Sequence, residues 1–324
     1  MTQLSAASET LHADRTDTHV DHGEPRRSKS SLLTCGGVDS SASTPAADAA
    51  TPDVWVEAIR VPLLQATNGR YLFAIHPLEG FAFVYSALRD YLPANLGIMG
   101  LQDPAHAGVD ANLNSRTHVA AVYADVVQQT QPSGPYHLLG WSLGAHIAFT
   151  VGQELERRGE RVASLTIIDT PVKVSENTSR VDESRGGHAP VHEDHEGQAV
   201  IIDRSRERWL SLLGLDSDDG AEGVLKAMAI STLRSSRVMS TGTSGSLATP
   251  ALLIATTELL ESASRVGTGA YLSWDSHVLA CTTISVPDED HYSILNSGAG
   301  LPKWGPQLKR FLEESIRSEN KEPR

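Results

Sequence analysis

The stretch YHLLGWSLGAHIAF, residues 136–149, constrains the fold of this chain more than any other. Strand-like residues run into Gly140-Trp141-Ser142-Leu143-Gly144, and a helical pattern then continues to Arg158, with Gly159 as its expected C-cap. A serine between two glycines at such a junction has two readings. The glycines either let two elements pack closely, or they permit a sharp bend that exposes one hydroxyl on strained backbone. The second reading fits G-x-S-x-G in its strand–turn–helix context and makes Ser142 a nucleophile. The helix that follows directs its positive end at the serine, and the Leu143 N–H is the expected first donor to an oxyanion.

The surrounding chain supplies a matching framework. RYLFAIH (70–76), NLGIMGLQD (95–103), SLTIID (164–169), ALLIATTE (251–258) and TTISVP (282–287) read as strands. Between them lie helix-like runs: FAFVYSALRDYL (81–92), SRTHVAAVYADVVQQT (115–130) with Val119, Val122, Tyr123 and Val126 at helical spacing, and an amphipathic run over 303–318. Apolar strands alternating with helices predict parallel βαβ units and a mostly parallel, doubly wound α/β sheet. Segment 172–248 breaks that rhythm. Its first part is charged and Gly-rich and reads as a loop; its second, from Asp203 to Met239, is helical in pattern and offers Trp209, Leu210, Leu212 and Leu213 for packing. An insertion of this size between core strands is a candidate lid. Residues 1–53 carry few large apolar side chains and read as a disordered leader to a folded domain over 54–324.

The net charge of -13 argues against nucleic acid or an anionic membrane as partner, since both attract positive patches. Cys35 and Cys281 form no disulfide framework, which suits a reducing compartment. No apolar run is long enough for a membrane span, and the N-terminus lacks the apolar core of a secretory signal. A cytoplasmic, soluble protein is the expectation.

A serine nucleophile needs a base and an acid, which hydrolases of this kind carry in the order Ser, acid, His. His291, in TTISVPDEDHYSIL, follows the last apolar strand, where a doubly wound sheet places its functional groups. It is assigned as general base. Asp169 ends SLTIID and Glu258 ends ALLIATTE; both strand ends could reach a histidine, and the shorter aspartate, held by the turn Asp169-Thr170-Pro171, is favoured. His188, His192 and His195 lie among carboxylates, but no helix fixes their spacing, so they read as a solvated loop and not as metal ligands. His277 reads as a surface residue. The second oxyanion donor is expected in His76-Pro77-Leu78-Glu79-Gly80, after the first of these strands; Pro77 has no N–H, so the donor is Leu78, with His76 as support beneath the loop.

IHPLEGFAFVYSAL, IMGLQDP, GPYHLLGWSLGAHIAF, LTIIDTP and VPDEDHYSIL together resemble, in order and spacing, the thioesterase domains that terminate nonribosomal peptide and polyketide assembly lines. The resemblance covers residues 60 to 318. It implies the α/β-hydrolase fold, a lid after the strand that carries the acid, and the acid at Asp169. It further implies transfer of an acyl or peptidyl chain from a carrier protein's phosphopantetheine arm onto serine, then release to water or to a hydroxyl or amine of the chain itself. No cofactor or metal is expected, because that arm belongs to the substrate. With a leader and no carrier domain in the chain, the acyl or peptidyl carrier protein is expected to act in trans. Trp141 stands where free-standing editing thioesterases commonly carry His, and Glu79 departs from the small or apolar residues usual in the oxyanion loop. An acyltransferase serving a separate acceptor, an editing thioesterase and, outside enzymes, an inert carrier-binding scaffold stay open as alternatives.

Overall fold

A computed structural model of the chain describes residues 52–109, 113, 115–172, 220–239, 243–265, 267, 271–295 and 298–319. The elements are α1 (Pro52–Ile59), β1 (Arg60–Leu64), β2 (Tyr71–Ile75), β3 (Gly97–Leu101), α2 (Arg116–Thr130), β4 (Tyr136–Trp141), α3 (Leu143–Arg157), β5 (Val162–Ile168), α4 (Gly220–Met239), β6 (Leu247–Thr256), α5 (Thr257–Arg265), β7 (Val278–Val286) and α6 (Gly300–Glu319). Their strands make a seven-stranded sheet in the order β1-β3-β2-β4-β5-β6-β7. β1 runs antiparallel to β3, and every other neighbouring pair is parallel.

Burial explains why the strands read as apolar runs. β2, β3, β4 and β5 are buried along their whole length, as strands covered on both faces must be. Alternate residues feed two cores. Phe73, Ile75 and Leu138 pack with α2 and α3, while Leu72, Ala74, Leu139 and Trp141 pack with the opposite layer, which includes Trp304 and Leu308 of α6. β7 lies at the edge and is half exposed, and its signal in the sequence is correspondingly shorter than its nine residues.

Several local forms differ from the sequence expectation. Residues Ala82–Tyr91 form a 3₁₀ helix that buries Ala82, Tyr85 and Leu88. That spacing of three matches three residues per turn and differs from an α-helical stripe. β1 and α1 were not anticipated, because RVPLL carries a proline and no alternating pattern. ALLIATTE does not end as a strand: β6 stops at Thr256, and Thr257–Arg265 is helix. β6 also begins at Leu247, so the insertion after β5 ends before the sequence boundary of 248. Of the insertion's predicted helix, Gly220–Met239 is helical; Trp209, Leu210, Leu212 and Leu213 lie outside the described residues, as do residues 1–51. No helix among the described residues is long and apolar enough to cross a membrane.

Candidate active site

β4 ends at Trp141 and α3 begins at Leu143, so Ser142 alone turns the chain. It does so at φ 56 and ψ −127, a region that side-chain-bearing residues rarely occupy. The flanking glycines leave no room for a side chain. A Cβ on Gly140 would overlap the Gly144 carbonyl, and one on Gly144 would overlap the carbonyl oxygen of Ile75. The strained turn is held from below. The Ser142 N–H donates to Ile168 O at 3.0 Å. The Trp141 N–H donates to the Tyr85 hydroxyl at 3.0 Å, which donates in turn to Ile75 O at 2.6 Å. Burial pushes the Tyr85 phenol up, so it stays a protonated donor across the physiological range. Leu143 is the first residue of α3, where the backbone N–H has no partner within the helix.

Asp169 follows β5 at φ 50 and is 5% exposed. Its Oδ1 accepts from the Thr256 N–H at 2.8 Å and from the Thr256 hydroxyl at 2.9 Å. Its Oδ2 lies 2.8 Å from His291 Nδ1. A ring that donates from Nδ1 to a carboxylate presents Nε2 on its far side. The His291 loop is shaped by Asp290, whose Oδ1 accepts from the N–H groups of Tyr292 and Ser293, each at 2.8 Å. The Ser293 N–H first and then the Tyr292 N–H outweigh burial and hold the Asp290 carboxyl below its ordinary pKa. Lys303 of α6 secures the same loop, reaching Pro287 O at 2.7 Å and Glu289 at 2.7 Å. The Trp141 and His291 rings lie 5.1 Å apart, with Tyr292 set edge-on to both.

Leu78 sits in a tight turn after β2 in which the Gly80 N–H donates to Pro77 O at 3.0 Å. His76 Nδ1 donates to the same oxygen at 2.7 Å. The C=O and N–H of a trans peptide point in opposite directions, so anchoring Pro77 O also aims the Leu78 N–H. Burial lowers the pKa of His76, consistent with a neutral ring whose Nε2 meets the Tyr123 hydroxyl at 2.7 Å.

Asp169 and His291 are thus directly bonded, and Ser142 adjoins the tryptophan that flanks His291. Glu258 falls in the first turn of α5 and not at a strand end; Thr256, where the strand stops, serves Asp169 instead. His277 is half-buried at the surface, donating from Nδ1 to Gly245 O at 2.7 Å and meeting Phe149 edge-on. His188, His192 and His195 lie outside the described residues, and no metal-binding cluster exists among the described ones. Sequence reasoning missed Tyr85, Thr256 and Asp290. Only Asp290 left a local signal, as an aspartate placed to cap the N–H groups two and three residues ahead.

A mostly parallel sheet with a strained serine turn after one strand, and an aspartate and a histidine after two others, defines the α/β-hydrolase class. Residues 70–301 match the family described as "Thioesterase domain", and the chain belongs to that family. It is 38% identical over 107 residues to "Enterobactin synthase component F" of Escherichia coli (strain K12), covering 33% of this chain and 8% of that protein. It is 31% identical over 149 residues to "Vanchrobactin synthetase VabF" of Vibrio anguillarum, covering 46% of this chain and 5% of that one. The chain therefore spans only a small part of the length of these relatives. In fold it is similar to the crystal structure of the NocB thioesterase domain from the nocardicin cluster, with TM-score 0.56 and 19% identity over 79% of this chain and 99% of that one.

Proposed function

We propose that this chain is a serine thioesterase that takes an acyl or peptidyl group from the phosphopantetheine thioester of a carrier protein and releases it in secondary-metabolite biosynthesis. Ser142 attacks the thioester carbonyl while His291 Nε2 takes its proton. The N–H groups of Leu143 and Leu78 hold the oxyanion, and Asp169 keeps the imidazole oriented and stabilises its charged form. His291 returns the proton to the departing thiol, then activates water or a hydroxyl or amine of the bound chain to discharge the acyl-serine. No cofactor takes part in this scheme. The observation that carries the reading is the 2.8 Å bond from His291 Nδ1 to a buried Asp169 beside the positive-φ serine. Family membership and the synthetases among its relatives support the carrier-bound thioester as substrate.

The test supplies a loaded carrier as a separate protein and follows thioester loss and product mass. Ser142→Ala is expected to lower single-turnover release by on the order of a thousandfold or more, and to abolish labelling by a fluorophosphonate. Release that persists at the wild-type rate in Ser142→Ala overturns the assignment. Product mass separates hydrolysis from cyclisation.

A further inference from the structure

The turn expected to carry the second oxyanion donor is enclosed by residues outside the triad. Its backbone oxygens are held from behind: Gly80 O accepts from the Asp103 N–H at 2.9 Å, and Glu79 O accepts from His106 Nε2 at 2.9 Å. Burial lowers the pKa of His106, consistent with a neutral ring donating from Nε2. Against the front packs α4, the helix of the insertion. Ser231, fully buried, presses on Gly80 so closely that a Cβ there would overlap its hydroxyl oxygen. One turn further along α4, Arg234 places Nη1 2.6 Å from Asp103 Oδ1. Both partners of that ion pair are at least nine-tenths buried.

Asp103 therefore touches both sides. Its backbone N–H grips the end of the oxyanion turn, and its carboxylate grips the insertion helix. That carboxylate also accepts from the Ala105 N–H at 2.8 Å, so it cannot swing freely to follow the arginine. An aspartate this buried depends on its cation, and removing the cation leaves a charge that the surrounding backbone must move to solvate. The backbone nearest to hand is the segment that holds Gly80.

We propose that Arg234 is a positioning residue for the oxyanion turn, acting through Asp103, so that α4 sets the rate of the chemistry as well as the shape of the substrate site. The proposal rests on the assignment of Leu78 as oxyanion donor. Both acylation and deacylation pass through an oxyanion, so a misplaced donor lowers kcat whichever step limits turnover. A helix that merely lined the acyl site would act on KM.

The experiment compares wild type, Arg234→Gln, Asp103→Asn and the double variant on a loaded carrier protein, with thermal melts to establish that each is folded. Asp103→Asn keeps the backbone N–H to Gly80 and an acceptor for Ala105, and removes the negative charge that faces Arg234 and, more weakly, His76 and His106. The expected result is a fall in kcat of about tenfold or more in each single variant, with KM within about twofold of wild type. The double variant should lose no more than either single one, because both break one connection. Arg234→Lys, which keeps the positive charge, should recover part of the loss in kcat and serves as the reading where Arg234→Gln does not fold. Losses confined to KM, losses that multiply in the double variant, or an Arg234→Lys no faster than Arg234→Gln overturn the proposal. Turnover that survives Ser142→Ala would instead remove the catalytic reading beneath it.

Discussion

Acidification should destabilise this domain through His146, by an amount set by the burial of its ring. His146 lies in the first turn of α3 and is 2% exposed, its ring packed against Trp274 at 5.5 Å. Nδ1 is 2.8 Å from the Thr243 hydroxyl and Nε2 is 3.3 Å from the Thr170 hydroxyl. The ring thus joins the chain leaving β5 to the chain returning to β6. Burial first, and then the charge of Arg116, lowers its pKa from 6.5 to about 3. The unfolded imidazole takes up a proton near pH 6.5 and the folded one does not until far lower. Stability is therefore intact above that range and falls as pH drops from 6.5 towards 3. At pH 5 the unfolded state has gained RT ln(1 + 10^1.5), about 2 kcal/mol, from this one group. Urea unfolding of wild type and His146→Gln from pH 7.5 to 5.0 measures it. The variant should be the less stable at pH 7.5, by about 1 kcal/mol for its imperfect hydrogen bonds, and the difference should move by about 2 kcal/mol in its favour by pH 5, leaving it about 1 kcal/mol the more stable there. Protonation of His76 and His106, also held neutral by burial, is common to both proteins and cancels in the difference. Parallel curves across that range would refute the reasoning.

Two further outcomes follow from the site. Asp169→Asn keeps the shape of the carboxylate but favours the wrong imidazole tautomer, so single-turnover acylation should slow by on the order of a thousandfold or more while the far-UV spectrum is unchanged. Gly144→Ala forces a Cβ into the Ile75 carbonyl oxygen, where only backbone could give way; urea titration should show a loss of about 1 to 3 kcal/mol or more, and phosphonate labelling of Ser142 should slow with it.

The parts of the site that the sequence revealed were those built from neighbours in the chain. GWSLG places a strand, a strained residue and a helix N-terminus within five positions, and each has a local cause. The buried parallel strands announced themselves because burial on both faces demands continuous apolar runs. Where that demand lapses, so did the reading: β1 is partly exposed, antiparallel and interrupted by Pro62, and the run Ala82–Tyr91 shares its apolar content with an ordinary helix until its spacing of three is seen against a neighbour. Glu258 looked like a strand-terminal acid because nothing local distinguishes Thr256 from Thr257 as the place where pairing stops.

By itself, then, the sequence determined the class of fold, the elbow at Ser142, and a short set of acids and histidines in an order that such chemistry uses. Only the tertiary structure decided how the rest is held. Asp169 faces His291 because β5 and β6 end side by side, which lets Thr256 fill one carboxylate oxygen and leaves the other for the imidazole. Trp141 flanks that imidazole because the period of two along β4 sends its ring to the side of the sheet opposite Leu138. Arg234 meets Asp103 across 131 residues of chain, and no local pattern records such a pairing. Propensity and periodicity act over a few residues, whereas the site is assembled by strand ends and helix faces that only packing brings within hydrogen-bonding distance.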